Sequence, residues 1–195
     1  MIHWDRGRLA RNQRAAQKLL DTANLKTAEL ASLNSLAADE AQNELLKCCG
    51  SKRWAEQMIV ERHFENVEDL IAKADRVWWS LDPGDWLEAF LSHPKIGEKK
   101  AAAATPEQSK QWSAAEQAGI AEAANSTLAK LAELNRKYQD KFGYIFIVCA
   151  SGKSSEEMLA ILRSRLENDS DEELHIAAAE QAKITRLRLQ KLVEG

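Results

Sequence analysis

His93-Pro94-Lys95-Ile96-Gly97-Glu98, followed after a short insert by Ser113-Ala114-Ala115-Glu116-Gln117-Ala118-Gly119, brings together the residue types of acid–base chemistry. Histidine is the side chain best suited to moving protons near neutral pH. A nearby Glu can orient the ring and tune its pKa. Such equipment needs no metal. Ser113-x-x-Glu116 is also the sequence of a helix capping box, so on pattern alone it reads as structural. What favours chemistry is that His93, Glu116 and Gln117 all fall at helix ends, where free N–H groups and the dipole attract anions.

The competing motifs are weaker. Gly152-Lys153-Ser154 follows an apolar run and precedes a helix, as a phosphate-binding loop would. That motif requires glycine five residues before Gly152, and the chain has Ile147 there. The four histidines (His3, His63, His93 and His175) show no H-x-x-x-H or H-E-x-x-H spacing, and Cys48-Cys49 lacks partner ligands at zinc spacing. No metal and no cofactor is expected. In Thr185-Arg186-Leu187-Arg188-Leu189, helical geometry turns the two arginines about 160–200° apart. A plain solvated basic face is the simpler account. A guanidinium turned inward would need a partner, and a bound carboxylate could supply a bidentate one.

These residues need a scaffold, and composition says which. The chain has 195 residues with only 8 Gly and 3 Pro, and long stretches of Ala, Leu, Glu, Gln, Lys and Arg. These are strong helix formers. The expected class is all-α: a single-domain bundle of roughly seven to nine helices. Residues 26–195 are expected to form the domain, with an N-terminal helical extension over 1–25. Net charge is −3, which argues against nucleic acid as a partner. No apolar run is long enough to span a membrane. Three cysteines, two of them adjacent, read as reduced thiols in a cytoplasmic protein. Arg6, Arg8, Arg11, Arg14 and Lys18 face a single early acid, Asp5, and read as a solvated N-terminal helix rather than a transit peptide.

Helix starts are marked by Asn34 or Ser35, Ser51, Asn66 with Asp69, Asp82-Pro83, Thr105-Pro106, Ser113, Ser154 or Ser155, and Asp169 or Ser170. Gly50 sits where a helix end favours positive φ, and the long helix through Tyr138 ends at Gly143. Trp54, Trp78 and Trp86 lie on helical apolar stripes and belong to the core. Tyr144 to Ala150 is β-rich in composition but has no second strand to pair with. It is expected to be one short, extended, buried connector near residues 144–150. Pro94 pushes His93 out of the α region, so the histidine sits on a loop aimed by the preceding helix.

Cys48-Cys49-Gly50-Ser51-Lys52-Arg53-Trp54, the His93 segment, Ser113-x-x-Glu116-Gln117-x-Gly119, Lys141-Phe142-Gly143-Tyr144-x-Phe146-Ile147 and Leu187-Arg188-Leu189 occur in that order. Together they resemble the cofactor-free decarboxylases of 2-oxo-4-hydroxy-4-carboxy-5-ureidoimidazoline (OHCU), enzymes of urate breakdown whose product is (S)-allantoin. The resemblance covers about residues 28–193. It implies an all-α homodimer acting on a small ureide. It implies that His93 is the catalytic acid/base with Glu116 as partner, and that Ser113, Gln117 and Arg188 hold the ureido and carboxylate groups. Pro94 would shape the wall, and backbone groups of Phe146 and Ile147 would line the pocket. The chain departs from the pattern at Ile145, where many relatives have proline, and at Arg62-His63-Phe64, where relatives often have Arg-Pro-Phe. Two alternatives stand beside this: a non-catalytic helical interaction module, and a decarboxylase of the same fold acting on a different ureide.

Overall fold

The computed structural model describes residues 27–94, 108, 111–112 and 125–194. The expected N-terminal extension, the Thr105-Pro106 start signal, Ser113, Glu116 and Gln117 lie outside the described residues. Among those described, eight helices are bounded and no strand occurs: α1 (27–35), α2 (Ala38–Cys48), α3 (Lys52–Val60), α4 (Val67–Trp79), α5 (Pro83–Leu91), α6 (Asn125–Phe142), α7 (Ser155–Arg165) and α8 (Ser170–Leu192). Gln108, Gln111 and Trp112 are helical as well. The all-α expectation holds.

Most of the start signals act as their chemistry dictates. Ser51 accepts from Trp54 N–H, Asn66 from Asp69 N–H, and Asp169 from the N–H groups of Asp171 and Glu172. Ser154 and Glu157 form a reciprocal capping box, and Pro83 opens α5 behind Asp82. Gly143 ends α6 at φ +84°.

Two signals have other roles. Asn34 does not cap α2. Its amide donates to the Phe64 carbonyl (2.8 Å) and accepts from the Phe64 N–H (3.0 Å), pairing with that backbone as a strand would. The N-cap of α2 is Ala37, whose N–H donates to Glu40. Gly50 is not in the positive-φ region. It is required by close approach, because a Cβ there would collide with the Cβ and Oγ of Ser92.

α8 is the axis of the molecule and packs against α2, α4 and α5, while α6 and α7 pack on each other. The tryptophans lock these contacts. Trp54 Nε1 donates to Ala74 O, Trp78 Nε1 to Ala178 O on α8, and Trp86 Nε1 to Trp78 O. All three rings are buried, so each indole satisfies its one donor while contributing a large apolar area.

The segment after α6 is extended and buried, and among the described residues no second strand pairs with it. Side chains take the place of a ladder. Phe146 N–H donates to Asn135 Oδ1 (3.3 Å), Arg165 Nη1 to Ile147 O (2.7 Å), and Cys149 N–H to Glu180 Oε2 (2.7 Å). Arg165 is itself held by Glu173 of α8, with Nε and Nη2 both on Oε1 (2.7 and 2.5 Å). Tyr138 hydroxyl and Asn168 Nδ2 complete the carboxylate's partners. Glu173 has no solvent exposure, so this network carries a fully buried charge.

Removing one partner of such a pair leaves an uncompensated charge. Glu173→Ala or Arg165→Ala should each cost about 3–5 kcal/mol in urea unfolding. Tyr138→Phe should cost only about 1 kcal/mol. Equal small losses for all three would show that the network is not the clamp described.

Candidate active site

His93 follows the end of α5, its N–H bonded to the Phe90 carbonyl (3.2 Å) and its chain redirected by Pro94. The preceding turn is fixed by Ser92, whose hydroxyl donates to Ala89 O (2.7 Å) and whose side chain abuts Gly50. The loop carrying Cys49 and Gly50 is therefore pressed against the loop carrying His93. A β-carbon at position 50 would force the two apart.

The imidazole reaches across to α8, where Nε2 lies 2.7 Å from Gln181 Oε1. Gln181 Nε2 donates in turn to Thr185 Oγ1 (3.1 Å). Both residues are buried. They lie on the inward face of α8 with Ala177, Ala178, Ile184, Arg188 and Leu189. The helical period puts Gln181, Thr185 and Arg188 on one stripe over about 10 Å of axis. Arg188 is 2% exposed, whereas Arg186 faces solvent and pairs with Asp75 (2.5 Å). The solvated-face account thus holds for Arg186, and Arg188 turns inward.

Burial and the Arg188 charge push the His93 pKa down to about 3, against the weaker opposing effect of Gln181. The ring is neutral throughout the physiological range. Cys48 and Cys49 lie within the same electrostatic neighbourhood. Burial raises both thiols, Cys49 to about 11 against the weaker opposing effects of Ser51, Thr185 and Arg188. They are protonated thiols, not nucleophiles. Among the described residues, no group of His, Cys, Asp and Glu could hold a metal ion.

The extended connector reaches α8 at the same level. Cys149 bonds Glu180 and His93 bonds Gln181, which are consecutive residues. Of the residues expected at the site, His93 and Arg188 are brought together. Phe146 and Ile147 belong to the connector, where Asn135 and Arg165 anchor them, and Pro94 directly follows His93. Ser113, Glu116 and Gln117 lie outside the described residues. Gln181 and Thr185 were not expected. Their signal was present as two polar residues four apart, at helical spacing from Arg188, on an otherwise apolar stripe. A surface groove of about 310 Å³ between α1 and α4 does not have His93 among its lining residues.

Fold and site define an all-α protein with a neutral histidine, a glutamine and a guanidinium converging on one buried helix face, a class suited to proton transfer on a polar small molecule. The chain belongs to the OHCU decarboxylase family, whose profile matches residues 34–190. It is 39% identical over 158 residues to the uric acid degradation bifunctional protein TTL of Arabidopsis thaliana, a match covering 80% of this chain and 48% of the relative. It is 31% identical over 135 residues to 2-oxo-4-hydroxy-4-carboxy-5-ureidoimidazoline decarboxylase of Amia calva, covering 68% of this chain and 75% of that one. A crystal structure of OHCU decarboxylase in the presence of (S)-allantoin superposes with a TM-score of 0.67 at 42% identity, covering 78% of this chain and 98% of that one. The chain spans about half the length of the Arabidopsis relative.

A histidine with so low a pKa should not titrate in the folded state. Between about pH 8 and 5 the His93 imidazole signals in NMR should stay at neutral-ring positions, while an exposed histidine shifts. Its effect on stability has a definite sign. Above the ordinary value of 6.5 neither state carries the proton. As pH falls from 6.5 toward 3, the unfolded chain takes up a proton that the folded chain refuses, so stability declines. A His93 midpoint near 6.5 would contradict the described burial.

Proposed function

We propose that this chain decarboxylates 2-oxo-4-hydroxy-4-carboxy-5-ureidoimidazoline to (S)-allantoin, in the breakdown of urate. The observation that carries the reading is the neutral, half-buried His93 beside the inward-facing Arg188 in a chain of this family. The substrate's carboxylate lies next to a ring C=N bond, so the electron pair left by CO2 flows into that imine. The substrate is its own electron sink, and the chemistry does not call for a cofactor to supply one.

Three tasks fall to the protein. It turns the carboxylate out of the ring plane, where bound geometry is worth several kcal/mol. It surrounds the ring with few waters, so that charge disperses as CO2 departs. It directs a proton to one face of the carbon that becomes stereogenic. His93 starts neutral, so its first act is to accept the proton of the 4-hydroxyl. As imidazolium it then returns that proton to the ring carbon, and the hydroxyl carbon becomes a carbonyl. The ring nitrogen that received the electron pair takes one proton from solvent, which balances the loss of carboxylate as CO2.

Glu116 is the acidic partner of His93 and steadies its transient charge. Ser113 and Gln117 hold the ureido arm, Arg188 anchors an anionic or carbonyl oxygen, and Pro94 forms wall. Backbone groups of Phe146 and Ile147 line the pocket, on a connector whose Phe146 N–H and Ile147 carbonyl are held by Asn135 and Arg165. Ile145 stands where many relatives have proline, and the anchoring by Asn135 and Arg165 supports the wall in its place. The enzyme works as a cytoplasmic homodimer. Exposed Val60, Trp79, Leu87 and Leu91 offer apolar surface for a second copy, and the three cysteines are free thiols.

An interaction module would leave His93 exposed or pinned by packing alone. Its bond to a buried glutamine, beside a buried arginine, favours the enzyme. A different ureide is separated only by turnover, because specificity resides in pocket shape.

With substrate generated in situ from urate, His93→Ala and Glu116→Ala should lose at least about 100-fold in kcat while keeping the helical spectrum. Gln117→Glu should raise KM by repelling the anionic substrate. Turnover by His93→Ala at near wild-type rate would remove the assigned role.

A further inference from the structure

We infer that Gln181 is a positioning residue that fixes the tautomer of His93, so that Nε2 carries the resting proton and Nδ1 is the nitrogen that exchanges protons with substrate. The inference rests on the reading of His93 as the acid–base group.

Two contacts set the orientation of the amide. Gln181 Nε2 donates to Thr185 Oγ1 at 3.1 Å. Its carbonyl oxygen faces His93 Nε2 at 2.7 Å. An amide oxygen only accepts, so Nε2 is the protonated nitrogen of the neutral ring.

A glutamine that only filled space would not need Thr185 behind it. Thr185 sets which way the amide points, and the amide sets which nitrogen is basic. When Nδ1 takes a proton, Gln181 Oε1 still accepts from Nε2–H and steadies the cation. Arg188 is the charged group facing the ring from α8, and it opposes that cation. The proton is therefore held briefly and given up readily, as a shuttle requires. Fixing the tautomer through a residue that never meets substrate is the arrangement by which second partners orient catalytic or metal-binding histidines elsewhere.

The test uses the full chain with 15N-labelled histidine. Long-range proton–nitrogen spectra distinguish a protonated ring nitrogen from a bare one, and His93→Ala assigns the signals. Wild type should show His93 with Nε2 protonated and Nδ1 bare. Gln181→Leu should mix the tautomers and lower kcat about tenfold or more, with KM changed less than about twofold. Thr185→Val, a smaller perturbation should Gln181→Leu fail to fold, should shift the same signals in the same direction. Gln181→Glu retains an acceptor, so it should keep the tautomer. Its negative charge should move the acidic limb of the kcat/KM profile to higher pH. Wild-type His93 with Nδ1 protonated would overturn the proposal, as would wild-type kcat in Gln181→Leu. Absence of turnover in wild type itself would instead count against the decarboxylase reading, while the tautomer spectrum would still decide the role of Gln181.

Discussion

Glu173 is shut off from water, so its charge must be answered inside the fold. Arg165 answers it, and the geometry of the guanidinium does a second thing. While Nε and Nη2 hold the carboxylate, Nη1 holds the carbonyl of Ile147. One ion pair therefore ties the end of α7, the start of α8 and the extended connector into a single unit. The ring of Phe146 lies under the same guanidinium, 4.8 Å from its centre. An extended segment is held here because charged and amide side chains bond several of its backbone groups. Two helical turns along, α8 bonds the connector again through Glu180, and the next residue bonds His93. The position of the histidine is thus referred back, along one rigid helix, to the buried pair.

That arrangement explains why the histidine is neutral. A ring pressed between α5 and α8, with a guanidinium nearby, has every reason to shed its proton. Among the described residues, its favourable polar contact is with a neutral amide. Such a ring cannot begin a reaction by donating. In the reaction we propose, the histidine therefore begins by taking a proton, that of the substrate's 4-hydroxyl.

Much of this was legible in the residues. Few glycines and prolines and well-marked caps gave the all-α class, and Asp82-Pro83 marked the start of the helix that precedes His93. The angular separation of Arg186 and Arg188 followed from the helical period, but which of them is buried did not. That depends on α4 presenting Asp75 to Arg186 while α2 and α5 close over Arg188's side of α8, and such tertiary facts have no local signature. Asn34 read as a cap because its side chain favours one, yet it pairs with the Phe64 backbone thirty residues away. Gly50 read as a backbone conformer, yet it is needed for the space Ser92 fills. Gln181 was overlooked because a single glutamine in a helix is ordinary. Only its register with Thr185 and Arg188 marks it.

The most direct test of the account follows the optical activity of allantoin as the ureidoimidazoline is generated from urate in the presence of the purified chain. The spontaneous reaction has no chiral director, so its product is racemic. The account predicts accelerated CO2 release and a strong (S) signal with wild-type protein, both absent with His93→Ala. Racemic allantoin at the uncatalysed rate in the presence of well-folded wild-type protein would contradict it.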